Sequence, residues 1–333
     1  MKDLIIIAEA GVNHNGSLKK ALRLVDVAAK AKADFVKFQT YKTENLVQNN
    51  FSCASYQIKN TKFKNQFKML KEYELNENQF KKIVERCRIK KIKFLSSPFD
   101  IQSLNLLKKL KCTTIKIPSG EITNIPLLEE IGKSKRKVIL STGMSNFYEI
   151  LKAIKILTSC GTKKQNISLL HCNTEYPVNF KNTNLKAIIY LKKKFKLNVG
   201  FSDHTTGFEA ALVSIGLGAQ IIEKHFTTSK SLHGPDHKAS LDEKELINFV
   251  STLREAQKSL GQKIKMPSSK ELQNAKFIRK NIVAKKEILI GDRFTKDNIT
   301  TKRSNPGISS ANWKKVINKV SKFNFLKDQN IKI

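Results

Sequence analysis

Residues 4–30 read LIIIAEAGVNHNGSLKKALRLVDVAAK. The apolar run 4–8 is typical of a buried β-strand, and it ends at Glu9 before a loop that contains two glycines. Residues 18–30 then place apolar side chains at three- and four-residue spacing, which predicts an amphipathic helix capped by Ser17. The stretch therefore predicts one strand-loop-helix unit of an α/β fold.

Further β-like runs follow, and each of them also ends in polar or ionisable residues. The runs with their endings are 4–8 with Glu9, 35–38 with Gln39, 92–95 with Ser96 and Ser97, 114–117 with Ser119 and Glu121, 138–140 with Ser141 and Thr142, 167–170 with His171 and Asn173, 199–201 with Ser202, Asp203 and His204, and 221–222 with Glu223, Lys224 and His225. Helical periodicity lies between them, for example over 78–90, 148–157 and 243–260. Such units predict a TIM (β/α)8 barrel, in which the polar strand endings all point at one mouth. Helix capping explains some Ser, Thr and Asp endings, but not the histidines, lysines and glutamates.

The remaining sequence predicts a second domain. We expect a catalytic barrel over residues 1–260, a linker over 261–276 where helical periodicity fails, and a small β-rich domain over 277–333. Short strands are predicted to alternate with turns along the segments 281–284, 285–291, 297–301 and 303–307. A module of about 60 residues is marginally stable alone, so we expect it to dock on its own barrel or on a neighbouring subunit.

The connection 41–75 is longer than a usual loop between a strand and a helix. Loops of this length in compact domains are often lids or binding elements. The alternative, a variable surface excursion, fits the sequence equally well.

The formal net charge is +34, and only eight of the 62 basic residues are arginines. The lysines are spread over nearly every predicted helix, without a recognisable DNA-reading helix or RNA-binding motif. We therefore expect no specific nucleic-acid partner, and a basic nucleic-acid-binding protein on an inert barrel remains the alternative from another class. The positive field favours capture of anionic substrates.

Hydropathy and cysteine content point to a cytoplasmic protein without a membrane partner. No run approaches the roughly 18 apolar residues of a membrane span, and the start of the chain lacks a signal-peptide pattern. Five cysteines without a C-x-x-C pair indicate neither a disulfide framework nor a thiolate zinc site. Cys172 is either a nucleophile or a small buried residue.

Lysines and hydroxyls at the strand ends predict a pocket for an anionic substrate. Lys37 and Gln39 share one strand face because side chains alternate, and Lys116 ends another strand. The serines of the predicted rim are Ser97, Ser119, Ser141 and Ser202. These groups suit a phosphate and a carboxylate, although a desolvated lysine can alternatively form an imine. Glu9 is costly in a barrel interior without a partner, which favours a functional role for it.

His204 and His225 end two strands that are neighbours in a closed barrel. Neutral imidazoles at this position can bind one divalent metal ion, with water and substrate oxygens as further ligands. Glu121 and Asp236 are expected nearby, and such a mixed site favours Mn²⁺, Mg²⁺ or Co²⁺ over structural zinc. Taken singly, each histidine is more often a capping or packing residue.

Several longer motifs carry a family resemblance. They are AEAGVNHNG (8–16), VKFQT (36–40), SPFD (97–100), IPSGE (117–121), STGM (141–144), HCNTEYP (171–177), FSDHT (201–205), EKHFT (223–227) and GPDH (234–237). In this order they resemble the sialic acid synthase family, whose members condense phosphoenolpyruvate with an N-acetylated mannosamine-type sugar. The tail from Phe277 resembles the antifreeze-like (SAF) domain of that family, which reaches the partner's barrel in a domain-swapped homodimer.

The resemblance implies a role for each matching residue. Phosphoenolpyruvate would be held by Lys37, Ser97, Lys116, Ser119, Ser141 and Ser202. The open-chain sugar would be held by Gln39, Glu121, Thr174, Tyr176, Asp236 and, from the other subunit, Arg303. Mn²⁺ would be held by His204 and His225. The catalytic residues would be Glu9, Lys37 and Glu121, with Glu9 as the general base for the water that attacks C2.

The activity expected from the resemblance is N-acetylneuraminate synthesis from N-acetylmannosamine. The alternative is a legionaminic acid synthase that uses 2,4-diacetamido-2,4,6-trideoxymannose. Two departures from the family pattern affect the sugar site. Asn173 and Thr174 stand where some members have Thr-Asn, which moves or removes an amide contact. Ser304 and Asn305 separate Arg303 from the Pro-Gly pair that follows the arginine directly in many members.

Overall fold

The computed structural model describes residues 4–61 and 63–333. The chain divides into two compact units, the first ending at Leu260 and the second running from Gly261 to Ile333. The strands of the first unit are β1 Ile5–Gly11, β2 Phe35–Thr40, β3 Lys93–Pro98, β4 Thr114–Ile117, β5 Lys137–Ser141, β6 Ile167–Cys172, β7 Asn198–Asp203 and β8 Ile221–His225. They are parallel, in the order β3-β2-β1-β8-β7-β6-β5-β4, and β3 lies against β4. The predicted TIM barrel is therefore confirmed.

Helices lie between the strands of this barrel and after the last of them. They are α1 Leu18–Lys30, α2 Thr43–Leu46, α3 Ser55–Thr61, α4 Gln66–Tyr73, α5 Glu77–Ile89, α6 Ile101–Lys109, α7 Ile125–Lys133, α8 Phe147–Ser159, α9 Ala187–Phe195, α10 Glu209–Gly216 and α11 Glu243–Ser259. Asn76, Asn146 and Asp242 begin α5, α8 and α11 with capping boxes, which satisfy backbone N–H groups at the first turn. Within the described ranges, none of the helices combines the length and hydrophobicity that a bilayer crossing requires.

The strands continue into the polar residues that were expected to follow them. The eighth run, predicted over 221–222, extends as β8 to His225, with Glu223 and His225 on the same face. The hydrogen bonds between parallel strands join backbone groups and do not require apolar side chains. The strands can therefore continue through polar residues whose side chains find partners inside the barrel. Glu9, Lys37, Glu223 and His225 are consequently held on strands, whereas His204 follows β7 and Glu121 follows β4.

An apolar layer fills the barrel interior beneath the mouth. It is a separate buried cluster of Ile7, Leu95, Ile139, Leu170 and Ile221. Most of these residues lie two positions before a polar strand end, so alternation directs both side chains inward. This buried apolar cluster, which we call the floor, lies directly beneath the polar side chains of the mouth.

Gly200 lies in this floor, and a Cβ atom there would come within 2.2 Å of the Ile221 carbonyl oxygen and 2.7 Å of Leu170 Cδ2. We expect Gly200→Ala to lower the free energy of unfolding by about 1–3 kcal/mol, because the packed floor cannot yield. Gly216→Ala is the matched control, since no atom lies within 4 Å of its Cβ position. Urea unfolding of both variants measures the difference, and equal stabilities would contradict the packing argument.

The connection 41–75 folds as the short helices α2, α3 and α4, which we call the excursion. Its Cys53, Met69 and Tyr73 form a buried cluster with Tyr41 and Val12. The side chain of Asn60 also donates to the carbonyl oxygen of Pro235 at 3.0 Å. The excursion is thus a folded segment packed beside the barrel mouth.

The second unit contains α12 Ser269–Ile278, β9 Asn281–Ala284, β10 Ile299–Lys302 and α13 Trp313–Val316. β9 and β10 pair antiparallel and pack over a core of their own. The predicted alternation of strands and turns is present, since 281–284 is β9 and 297–301 overlaps β10, whereas 285–291 and 303–307 are turns or irregular segments with isolated bridges or no pairing. Part of α12 lies in the predicted linker 261–276, and its exposed Leu272 and Phe277 explain why no amphipathic period revealed it.

Candidate active site

Two carboxylates and two lysines form a buried charged group at the mouth of the barrel. Lys37 Nζ lies 3.0 Å from Glu9 Oε2 and 3.5 Å from Glu223 Oε1. Lys116 Nζ lies 3.8 Å from the same oxygen of Glu223. All four side chains are at most 5% exposed. The predicted pairing of Lys37 and Lys116 at one site is therefore present, with Glu223 between them.

Burial and mutual charge give these groups unequal pKa values. Burial raises the pKa of Glu9 to about 7, against the lowering effect of Lys37. Burial also acts to raise the pKa of Glu223, but Lys116 and Lys37 lower it to about 2. Burial lowers the pKa of Lys116, whereas Glu223 and Glu9 outweigh burial at Lys37 and raise its pKa. Glu223 is thus the permanent anion of the group, and Glu9 is the carboxyl that can exchange a proton near neutral pH.

Serine hydroxyls surround the lysines. Lys116 Nζ donates to Ser141 Oγ at 2.6 Å, Lys37 Nζ to Ser97 Oγ at 3.4 Å, and Ser202 Oγ to Glu223 Oε1 at 3.0 Å. Ser119 is one step removed, because its Oγ accepts from the Gly143 backbone and contacts Cys172 Sγ at 3.1 Å. Ser97 and Ser141 therefore contact the two ammonium groups directly, and Ser202 contacts Glu223 between them.

A β-bulge in β1 shapes the mouth beside Glu9. Glu9 pairs with Lys37 and Gly11 with Phe38, which leaves Ala10 as the extra residue. Gly11 has φ +52°, and a Cβ there would lie 3.3 Å from Glu9 Oε1 and 3.4 Å from His225 Cε1. A glycine at this position leaves space beside both functional side chains. Both carboxyl oxygens of Glu9 are buried without a hydrogen bond of their own.

The two predicted metal-binding histidines are neighbours. The rings of His204 and His225 are 5.7 Å apart between centroids, and the ring of Tyr176 lies 4.2 Å from that of His204. His204 Nδ1 lies 2.5 Å from the carbonyl oxygen of Asn173, so this nitrogen carries the hydrogen and Nε2 keeps its lone pair. Burial lowers the pKa of His204 to about 4 and the pKa of His225 well below its usual range, so both rings are neutral at pH 7.

The donor chemistry of this pair fits a divalent metal ion. His225 Nδ1 is buried without a hydrogen-bond partner, and neutral imidazoles with one oriented nitrogen are metal ligands. Over the described ranges, no three His, Cys, Asp or Glu side chains are grouped as a metal site. A metal ion here would therefore need oxygens from water or substrate, as the sequence predicts for His204 and His225.

The residues predicted to bind the sugar are less tightly grouped. Gln39 pairs with Ser97 across β2 and β3, and Asp236 is buried near Lys37, with its pKa raised to about 6 by burial. Glu121 follows β4, where burial raises its pKa although Asn124 donates to it at 2.6 Å.

The two departures from the family pattern have structural counterparts. The amide of Asn173 donates to the Asn182 carbonyl oxygen, and Thr174 lies against Gly143. Arg303 lies exposed in the second unit, and its contribution to a partner's site remains a prediction.

The expectation that every strand-end side chain points into the mouth was wrong for Ser96, Asp203 and Lys224. Ser96 Oγ donates to the Phe38 carbonyl oxygen, and Lys224 Nζ binds Asp203 Oδ2 on the helix-covered face of the wall. Alternation explains this, since neighbours in a strand face opposite ways.

Sequence reasoning assigned no role to Glu223, although its position two residues before His225 signals the same inward face. The ring of His237 is buried, and it lies between Thr227 and Asn15. Cys172 is buried, as a small packing residue would be.

Comparison with known proteins agrees with this architecture. A family model of the NeuB family matches residues 24–265, and one of the SAF domain matches residues 279–332. The N,N'-diacetyllegionaminic acid synthase of Campylobacter jejuni subsp. jejuni serotype O:2 is 46% identical over 333 residues, covering 100% of both chains. The enzyme of the same name from Legionella pneumophila is 40% identical over 94% of this chain and 88% of that protein.

A solved structure is similar as well. The crystal structure of N-acetylneuraminic acid synthetase from Leptospira borgpetersenii serovar Hardjo-bovis, in complex with citrate, superposes with a TM-score of 0.74 at 37% identity. The match covers 83% of this chain and 91% of that chain. The barrel fold, the residues at its mouth and the related proteins together define the class of this protein. It is a phosphoenolpyruvate-dependent nonulosonic acid synthase. The chain belongs to the NeuB family, and its second unit is a SAF domain.

Proposed function

We propose that this chain is a legionaminic acid synthase, which condenses phosphoenolpyruvate with 2,4-diacetamido-2,4,6-trideoxymannose. The observation that carries the choice of sugar is the 46% identity to an N,N'-diacetyllegionaminic acid synthase over the whole of both chains. The Legionella enzyme of the same name supports it at 40%. N-acetylneuraminate synthesis from N-acetylmannosamine is the second candidate, favoured by the likeness to the Leptospira structure.

Phosphoenolpyruvate binds at the two lysines in this proposal. Lys37 and Lys116 offer ammonium groups to the phosphate and carboxylate, and Ser97, Ser141 and Ser202 lie within reach as hydroxyl donors. Ser119 would complete the set beside Cys172. Because phosphoenolpyruvate is already an activated enol, no lysine imine is required.

Glu9 acts as the general base. C3 of the enol phosphate attacks the aldehyde carbon of the sugar, and water adds to the positive carbon that forms at C2. Glu9 removes a proton from this water, and its raised pKa suits that task near neutral pH. The tetrahedral product then loses phosphate by cleavage of the bond between C2 and the ester oxygen. Lys37 balances the charge of Glu9 throughout, at 3.0 Å.

His204 and His225 hold the divalent metal ion, Mn²⁺ in the first instance. When bound, such an ion supplies Lewis-acid polarisation of the aldehyde oxygen. The Asn173 carbonyl oxygen fixes the His204 tautomer and ring orientation for this purpose.

Gln39, Glu121, Thr174, Tyr176 and Asp236 contact the open-chain sugar in this proposal. Tyr176 lies beside both imidazoles, with ring centroids 4.2 and 5.7 Å away, so it bounds the space next to the reacting aldehyde.

Arg303 reaches the site from the partner subunit in a domain-swapped homodimer. Its exposed position in a SAF domain that forms a separate compact unit supports this arrangement.

The direct test measures phosphate release from phosphoenolpyruvate with Mn²⁺ and identifies the product by mass spectrometry, with both sugars offered in parallel. We expect kcat/KM for the 2,4-diacetamido trideoxy sugar to exceed that for N-acetylmannosamine by roughly a hundredfold or more, because polar sites discriminate strongly at unpaired groups. A preference for N-acetylmannosamine would contradict the legionaminic assignment and leave the synthase class intact.

A further inference from the structure

A buried ion pair stands behind the two histidines, on the opposite face of the barrel wall. Lys224 Nζ donates to Asp203 Oδ2 at 2.8 Å and to the Thr205 carbonyl oxygen at 2.6 Å. The second oxygen of Asp203 accepts from the backbone and the hydroxyl of Thr205, at 2.8 and 2.7 Å. Both charged side chains are at most 1% exposed. Every oxygen of the carboxylate is thereby engaged, and none of these groups faces the mouth.

The position of this cluster in the chain is what gives it meaning. Asp203 and Thr205 are the two residues that flank His204, and Lys224 immediately precedes His225. The side chain of Lys224 therefore binds both residues that flank His204, and the residue after Lys224 is His225. We call Asp203, Thr205 and Lys224 the clamp.

The sheet itself does not fix His204. The register between β7 and β8 runs through Ser202 with Glu223 and ends at Asp203 with Lys224. His204 lies one residue beyond this ladder, where β7 has ended. The bond from Lys224 to the Thr205 carbonyl oxygen reaches past His204 and extends the attachment between the strand ends by two residues.

Other contacts hold each histidine separately. His204 Nδ1 bonds to Asn173, and the His225 carbonyl oxygen accepts from the Leu241 backbone N–H. These bonds orient one ring or anchor one backbone. The Ser202–Glu223 hydrogen bond links the two strands before they reach the histidines, and the clamp ties the segment around His204 directly to the segment of His225.

We propose that Lys224 and Asp203 are positioning residues that set the separation of the two imidazoles, and thereby the affinity of the site for its metal ion. This inference rests on the proposed metal-binding role of His204 and His225. An ion pair suits the task because its short, directional bonds define one geometry, whereas apolar side chains of similar volume would fill the space without fixing the strand ends.

The experiment measures the Kd of Mn²⁺ for the full-length protein from the electron paramagnetic resonance signal of free Mn²⁺. Lys224→Met alone would leave a buried carboxylate unpaired, which endangers folding. The main variant is therefore the double substitution Asp203→Asn with Lys224→Met, which removes both charges. Lys224→Arg is the conservative variant, because its guanidinium keeps donors for Asp203 and Thr205.

The control uses an ion pair at the other end of the barrel. Arg254 Nη2 lies 2.6 Å from Asp34 Oδ2 and also binds the Leu4 carbonyl oxygen, ahead of β1. Asp34→Asn with Arg254→Met removes the same two kinds of charge far from the mouth. Thermal unfolding of all variants without metal separates loss of stability from loss of metal affinity.

We expect the Asp203→Asn, Lys224→Met protein to bind Mn²⁺ about 10- to 100-fold more weakly than wild type, as is usual when outer-shell partners of a metal ligand are removed. Lys224→Arg should restore affinity to within about threefold, and the Asp34→Asn, Arg254→Met control should leave it unchanged. An unchanged Kd in the clamp variant, with tight binding by wild type that His225→Ala abolishes, would overturn this inference alone. Absence of Mn²⁺ binding by wild type would overturn the metal site and this inference with it.

Discussion

Replacement of Glu9 by glutamine is expected to lower kcat by roughly a thousandfold, the scale of a lost general base. Glutamine keeps the shape of the side chain and leaves an amide oxygen beside Lys37, so the fold should survive. What disappears is the carboxyl that takes the proton of the attacking water in the proposed mechanism. Phosphate release under saturating substrates measures the effect, and KM for phosphoenolpyruvate should change far less than kcat.

The pH profile identifies the group responsible. Burial raises the pKa of Glu9 to about 7, and only the ionised form is a base. In wild type, kcat/KM for phosphoenolpyruvate should therefore fall as the pH drops through about 7. The residual activity of Glu9→Gln should lack this acidic limb.

Glu130→Gln, an exchange of the same kind on α7, should match wild type in both respects, since Glu130 pairs only with surface lysines. Retention of full activity by Glu9→Gln would assign the base to another group, of which Glu223 is the nearest candidate to Lys37.

Removal of divalent metal is the second large effect. We expect exhaustive chelation, or His225→Ala, to lower activity on the order of a thousandfold or more, because polarisation of the aldehyde is worth several kcal/mol. Added Mn²⁺ should restore the chelated wild type but not the variant. Both imidazoles are neutral at pH 7 because burial lowers their pKa values, so no proton competes for the ring nitrogens.

His233→Ala is the matched control, because that histidine is exposed on the loop ahead of Asp236. Its activity and its response to chelation should be those of wild type. Full activity of the wild-type protein after metal removal, with the metal content checked by elemental analysis, would exclude the proposed role of His204 and His225.

Much of the barrel was predictable because its signals are local. The run 114–117 became β4 without change, and the periodicity of 18–30 became α1 without change. The second unit was harder, since its pairing joins segments far apart in sequence and some bridges involve single residues. There, the composition predicted short strands alternating with turns, but it did not predict which segments pair with one another.

The site was predictable where alternation along a strand decides the direction of a side chain. Alternation assigns Lys37 and Lys116 to one pocket and Glu223 to the inward face of β8, but it does not show that Glu223 lies between the two lysines. Glu223 lies close to Lys37 of β2 and Lys116 of β4, and no local sequence pattern predicts contacts between strands so far apart in the chain. The side chain of Lys224 was predicted to point into the mouth, but it points to the outer face of the barrel wall. There it pairs with Asp203 of the neighbouring strand.

The excursion has a consequence for how such enzymes diverge. Its buried cluster is distinct from the core of the barrel wall, so exchanges at Met69 or Tyr73 need few matching changes elsewhere. The same segment touches the loop of Pro235, next to Asp236. A lineage can therefore remodel the rim that meets the sugar while the charged layer below it stays constant, and new acceptor preferences can arise on an old reaction.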